Sequence, residues 1–340
     1  MIAEEVRTVP DAVLAGRLQR EYILPAAAPA RLDGLGGNLA YAAAAFASWG
    51  GQAGLVSRVS SDFPMDRLTR LEALGFLLDG VHPVSEPLES RYFKAYGEGN
   101  KEYSENPITH FAERQLPFPP ELFGYQPHRK YCSKADYESG SFRVTDMPRL
   151  FLEAKVAHIC PIDFISHKIL PSVLKAGMIQ TLTLRACSCY MDPIFWEDIR
   201  GLITDLTIFM ITDVQALKLF QGRSVDLWEI AEHLAGYGPE AVLVQTGDGT
   251  THLYDRMSQK RWIVPAYRAR VSDPTGMLDA FDGGFLAGIR QASEPLEAAL
   301  YGNISAAIAG EGSGPYFLLE CLPGLKEMRL QVLRQQVIAA

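Results

Sequence analysis

Short apolar runs alternate with helical repeats along most of this chain, and the alternation restricts the folds open to it more than any other feature. Strand-like runs stand at residues 12–16, 53–59, 155–160, 179–184, 206–211 and 241–245. Helical spacing stands between them: an alanine-rich stretch at 42–51, residues 65–74 with a stop at Gly75, residues 166–176, and a helix start at Thr212-Asp213. Parallel strands need helical crossovers, so this order predicts an α/β layered fold with a mainly parallel sheet. Residues 17–25 alternate in character, and 90–104 reads as a β-hairpin with one wetter face around Gly97-Glu98-Gly99-Asn100. Together they predict a small sheet separate from the main one. Residues 117–147, rich in Pro and Tyr, read as loops plus a short strand around 129–133.

Composition narrows the function classes. With 340 residues, 48% apolar and 21% charged, the chain can bury a large core and has the balance of a soluble globular enzyme. One large domain with a small appendage is expected. A formal charge of −8 without a Lys/Arg cluster argues against a nucleic-acid or anionic-membrane surface. No apolar run approaches about 18 residues, and the start Met1-Ile2-Ala3-Glu4-Glu5-Val6-Arg7 lacks a signal peptide's apolar core, so a cytoplasmic protein is expected. The five cysteines, Cys132, Cys160, Cys187, Cys189 and Cys321, show no metal-site spacing and predict inert thiols rather than a disulfide framework. Cys187 and Cys189 would point to opposite faces of a strand. No two of the seven histidines stand four residues apart, so no zinc motif is present.

The stretch Asp273-Pro274-Thr275-Gly276-Met277-Leu278-Asp279 leads into Ala280-Phe281-Asp282-Gly283-Gly284-Phe285 as a turn that opens a helix with an acid at its mouth. Free amides of a first helical turn, helped by the helix dipole, can hold phosphate charge, and an adjacent carboxylate can take a proton from an attacking hydroxyl. An Asp capping an ordinary core helix would look the same at this point. Phe281, Phe285 and Ile289 recur every four residues, with Gly284 and Gly288 on an adjacent face, which predicts a buried helix open only at its N-terminus.

This segment resembles the C-terminal signature of the ribokinase-like (PfkB) family of sugar and nucleoside kinases, Asp-Thr-x-Gly-Ala-Gly-Asp-x-Phe. A second resemblance lies some 240 residues upstream, where Gly36-Gly37-Asn38-Leu39-Ala40-Tyr41 leads into the alanine-rich helix, a glycine stop, a strand and the acidic turn Ser60-Ser61-Asp62. In layout it spans residues 11–320. It implies a three-layer α/β/α fold with a mainly parallel central sheet, one domain over residues 1–340, and a small β-sheet lid from about 17–25 and 88–106. It also implies ATP-dependent phosphoryl transfer to a hydroxyl of a small sugar-like or nucleoside-like substrate, with Mg²⁺ on the triphosphate. Asp279 would be the general base, and the amides of Gly276, Met277 and Leu278 the anion hole. Glu21, Gly36, Gly37, Asn38 and Tyr41 would line the substrate site; Thr246, Gly247, Gly249, Asp273 and Thr275 would lie near the nucleotide. Homodimerisation through exposed lid strands would follow some relatives.

Several positions depart from the family pattern. Leu278 stands where the family has glycine, a strained position if it requires φ > 0. Tyr41 stands where it has asparagine, and Thr212-Asp213-Val214-Gln215 replaces the metal-organising Asn-x-x-Glu, with Asp213 a substitute through water. Arg91 and Lys94 could meet an anionic substituent or belong to a solvated strand face. A binder with weakened catalysis is therefore the alternative function. A dinucleotide-dependent dehydrogenase, suggested by Gly34-Leu35-Gly36-Gly37, fails on context, because residues 26–33 are not a buried strand and the third fingerprint glycine is Leu39.

Overall fold

The computed structural model describes residues 8–127 and 132–340. The chain opens with β1 (Ala12–Ala15), β2 (Gln19–Leu24), β3 (Arg31–Gly36), α1 (Asn38–Ser48), β4 (Ala53–Ser60), α2 (Met65–Ala73) and β5 (Leu77–Val84). Next come β6 (Arg91–Tyr96), β7 (Glu102–Tyr103) and α3 (Pro107–Glu113), then a long stretch with only short 3-10 turns. The regular alternation resumes with β8 (Val156–Ile159), α4 (Phe164–Lys175), β9 (Thr181–Arg185), α5 (Trp196–Ile203), β10 (Ile208–Thr212), α6 (Asp213–Leu219), α7 (Leu227–Ala235) and β11 (Ala241–Gln245). The last part holds β12 (Thr251–Asp255), β13 (Lys260–Val264), α8 (Met277–Ala292), α9 (Pro295–Glu311), α10 (Leu325–Arg334) and β14 (Ile338–Ala339).

Among the described residues the main sheet has ten strands in the order β14-β13-β12-β11-β10-β9-β8-β1-β4-β5. From β11 to β5 every neighbouring pair is parallel, whereas β12, β13 and β14 join antiparallel at one edge. Strand period decides which layer each side chain enters. Ala12 and Leu14 face the cluster that holds α1, α8 and α9, while Val13 and Ala15 face the one that holds α4, α5 and α7. Both faces are covered, so these strands read as continuous apolar runs rather than as alternation. The α/β expectation therefore holds, with three layers.

The second sheet has the order β3-β2-β6-β7. Its strands β2, β6 and β7 come from the two stretches expected to form it, and Arg31–Gly36 adds a strand that the sequence reading left out. Asp33, Gly34 and Gly36 kept that run from reading as a strand, and pairing to β2 supplies the missing stabilisation. Its own small core gathers Tyr22, Leu24, Phe93, Phe111 and Leu122. The edge strand β5 also escaped the sequence reading, because Asp79, Gly80 and Pro83 interrupt it. The strand expected around 129–133 lies mostly outside the described residues.

Caps set several boundaries. Asp163 accepts the Ser166 amide at 2.8 Å to start α4, and Asp226 accepts those of Trp228 and Glu229 at 2.8 and 3.3 Å to start α7. Helix α8 is gripped between α1 and α9: a Cβ on Gly283 would stand 1.9 Å from the Ala42 carbonyl oxygen, and one on Gly284 2.2 Å from Ser305 Oγ. The expected buried helix with a glycine contact face is present. No helix among the described residues is long and apolar enough to cross a membrane.

Candidate active site

Strand β1 lies between β4 and β8, where the chain switches from building one half of the main sheet to building the other. A crevice opens at the carboxyl ends of the strands at such a point, and ligands of open α/β sheets collect there. Here a cavity of about 990 Å³ is walled by residues just past β1 (Arg17), β8 (Pro161 to Asp163) and β9 (Ala186 to Cys189). The small sheet contributes Gln19, Glu21, Tyr92 and Lys94, and the mouth of α8 contributes Thr275, Gly276, Leu278 and Asp279.

Gly276 sits at φ +77° as the residue before α8, a conformation that glycine alone adopts without strain. A Cβ there would also stand 2.2 Å from the Tyr41 ring, so Tyr41 floors the turn. The Met277 amide donates to Pro274 O at 3.3 Å and that of Ala280 to Gly276 O at 2.8 Å, whereas among the described residues the amides of Gly276 and Leu278 have no backbone partner outside the helix itself. Leu278 is helical and 37% exposed, so the strain foreseen for a side chain there does not arise: the positive φ falls on Gly276 instead. Met277 turns away from the cavity and packs against Gly310.

The Asp279 carboxylate faces the cavity. Among the described residues it has no hydrogen-bond or ion-pair partner, unlike most acids near it. Desolvation pushes its pKa up to about 7; the Asp282 charge adds to the rise and Arg185 opposes it. A carboxylate with that value is half ionised at neutral pH, which suits a general base.

One turn deeper lies a group that the sequence reading missed. Arg185, at the end of β9, is fully buried and donates from Nε to both Asp282 oxygens at 2.9 and 2.8 Å; Nη2 also reaches Asp282 and Gln245. His158 Nε2 stands 3.5 Å from Asp282, and its Nδ1 bonds Thr183 Oγ1 at 2.8 Å. Burial opposes ionisation of Asp282, but Arg185 and His158 outweigh it and hold the pKa below the ordinary carboxylate range. The signal was available: Arg closing Thr-Leu-Thr-Leu and Asp inside Ala-Phe-Asp-Gly-Gly-Phe are opposite charges in apolar runs.

Residues expected around the substrate are brought together, but largely satisfied by one another. Glu21 Oε1 accepts the Gly37 amide at 2.8 Å, and Oε2 accepts Arg31 Nη2 at 2.6 Å and the Tyr41 hydroxyl at 3.1 Å. Gly36 packs directly against that carboxylate. Asn38 accepts the Arg17 amide at 2.8 Å and donates to Pro161 O at 2.6 Å. Glu21, Gly37 and Asn38 border the cavity; Gly36 and Tyr41 lie behind it. Lys94 borders it too, bonded to Glu102 at 2.9 Å, whereas Arg91 turns outward to Glu89.

The other expected positions are more dispersed. Asp273 is buried, with one oxygen on the Thr275 amide at 2.9 Å and the other on Ser313 Oγ at 2.6 Å; Thr275 Oγ1 donates to the Tyr96 hydroxyl of the small sheet at 3.0 Å. Thr246, Gly247 and Gly249 form the β11–β12 turn and do not line the cavity. Asp213 lies outside it and accepts the Val214 amide at 2.7 Å. Gln215 completes a capping box with Thr212 and donates to Ala186 O at 3.2 Å and Ser188 Oγ at 2.9 Å.

The cysteine reading needs correction. Cys132 and Cys189 are joined by a disulfide, with Cα atoms 5.2 Å apart, and Cys187 lies beside them. Strand β9 ends at Arg185, so Cys187 and Cys189 occupy a turn rather than opposite strand faces. A partner 57 residues away in sequence leaves no local spacing signal.

No protein-family model matches the chain. A curated cytidine kinase of Thermococcus kodakarensis is 27% identical over 158 residues, which are 44% of this chain and 53% of that protein. The chain thus spans about half the length of the curated relative it matches. Among solved structures, a Xylella fastidiosa fructokinase with bound ATP superposes with a TM-score of 0.66 at 18% identity, covering 96% of this chain and 99% of that one. A Methanocaldococcus jannaschii nucleoside kinase, an archaeal member of the ribokinase family, does so with a TM-score of 0.64 at 17% identity, covering 95% and 98%. The chain has the ribokinase fold: a three-layer α/β/α unit with a second, smaller sheet beside the carboxyl ends of its parallel strands.

Proposed function

We propose that the chain transfers the terminal phosphoryl group of ATP to a hydroxyl of a small sugar-like or nucleoside-like alcohol. The observation that carries this reading is Asp279: an unpartnered carboxylate in the cavity, at the open first turn of a buried helix, with a pKa of about 7. The substrate oxygen attacks the γ-phosphorus as Asp279 takes its proton, and the bond to the β-phosphate oxygen breaks. The amides of Gly276 and Leu278 point a fixed positive potential at the transferred group, and no rearrangement is needed because α1 and α9 grip the helix. A triphosphate tail fits this mouth through those amides. The side chains do not fit Mg²⁺ directly: Gln215 is spent on its capping box and Asp213 lies outside the cavity. Mg²⁺ would neutralise the phosphates to which it is bound, with water completing its shell.

The small sheet acts in this reading as the lid, with Lys94 and Tyr92 as its roof over the substrate and Glu21 as a positioning acid. The sugar- and nucleoside-specific relatives support the substrate class. Pairing of exposed lid edges between two copies would give a dimer, which size measurement in solution tests. One observation favours a binder with weakened turnover instead: both Glu21 oxygens and both ends of the Asn38 amide are held by the chain itself. A panel of sugars and nucleosides with Mg-ATP separates the two. Substrate-stimulated ADP release that falls about 10²–10⁴-fold in Asp279→Asn supports the kinase. Binding with no release above the variant's background supports the binder.

A further inference from the structure

The fold assembles three thiols that are far apart in sequence. Cys132 lies within the long stretch between α3 and β8, and its amide donates to the Cys189 carbonyl at 3.3 Å; Cys187 and Cys189 flank Ser188 in the turn after β9. The three sulfurs all lie within 4.8 Å of one another, and all three residues line the cavity. We propose that, in the reduced protein, Cys132, Cys187 and Cys189 form a three-thiolate site for a soft divalent cation of the zinc class on the cavity wall.

Ligand chemistry and spacing support this assignment. Thiolates select zinc-like ions, whereas magnesium takes oxygen ligands. Zinc–sulfur bonds of about 2.3 Å at tetrahedral angles put the sulfurs about 3.8 Å apart, a spacing that Cys132 and Cys189 reach by moving apart once their bond is reduced, with Cys187 Sγ within 4.8 Å of both. The turn is held from behind: Gln215 donates to Ala186 O and Ser188 Oγ, fixing the residues on either side of Cys187. Such second-layer contacts are what orient metal ligands. The cavity supplies the entry path and leaves the fourth position to water or to a ligand oxygen.

The balance of the reaction is explicit. A phosphine or dithiol reductant first adds two electrons and two protons across the Cys132–Cys189 bond, freeing both sulfurs. Three S–H protons then leave as three metal–sulfur bonds form, so affinity rises with pH. The site links the wall around residues 132–140 to the end of β9, and it stands independently of the phosphoryl-transfer reading.

The test uses the full chain, reduced with a phosphine, freed of metal with a chelator and kept anaerobic. Cobalt(II) is titrated while thiolate-to-cobalt absorption is followed, and zinc(II) is then added. One equivalent of cobalt with a charge-transfer band that zinc abolishes is expected. Cys187→Ser should weaken binding by more than ~100-fold, beyond what loss of an outer-shell partner costs. Cys321→Ser should leave it unchanged. Absence of the band in the wild-type chain overturns the proposal, and so does equal affinity in Cys187→Ser; the wild-type titration decides alone if a variant does not fold.

Discussion

At the scale of single residues, the decisive contrast is between two aspartates one helical turn apart. Asp282 is ionised because Arg185 and His158 surround it, and its carboxylate is consumed by them. Among the described residues Asp279 has no partner, and both desolvation and its neighbour Asp282 push its pKa up to about 7. The base form is the deprotonated one. For the free enzyme, log kcat/KM should therefore rise with unit slope as pH increases and level off above about 7, where an ordinary Asp would already be flat above about pH 4. A pH–rate profile of the wild-type chain checks this. A flat profile from pH 5 to 8 would remove Asp279 as the titrating base.

At the scale of elements, α8 is the part whose placement matters, and two kinds of contact set it. Close packing sets its distance from α1 and α9 through Gly283 and Gly284, which admit no Cβ. The Arg185–Asp282 pair ties it to the end of β9. Removing one member of a buried pair strands a charge, so Asp282→Leu or Arg185→Met alone should destabilise the protein by about 3–5 kcal/mol. The double substitution should recover much of that loss, because no unpaired charge remains. Urea unfolding of the four proteins in the cycle measures the coupling. Additive losses would mean that the pair contributes nothing as a pair.

At the scale of the whole molecule, the cavity is a joint product of the two sheets. Its floor belongs to the strand ends of the main sheet, and its roof to Gln19, Glu21, Tyr92 and Lys94 of the small one. The small sheet meets the mouth of α8 where the Thr275 hydroxyl donates to that of Tyr96. A ligand that fills the space between them should rigidify the roof. Amide exchange in residues 19–24 and 91–96 should slow when Mg-ATP and an accepted alcohol are both present, as read by mass spectrometry, with β10 and β11 little changed. Equal exchange with and without ligands would detach the small sheet from the site.

Sequence by itself determined the layered α/β class and most main-sheet strands, because apolar runs, glycine stops and caps are local and each run agrees with its neighbours. It also marked a turn opening a glycine-faced helix with Asp279 at its mouth, and the family resemblance of two distant motifs set that acid apart from an ordinary cap. It left out β3 and β5, whose glycines and proline are tolerated only through pairing to β2 and β4, and the antiparallel edge strands β13 and β14. Tertiary structure alone decided that Glu21 is gripped by Arg31 and Tyr41, that Arg185 meets Asp282 at the cavity's edge, and that three cysteines share one wall. Those facts depend on residues dozens of positions apart meeting at the strand ends, and no periodicity encodes a meeting that the packing of whole layers creates.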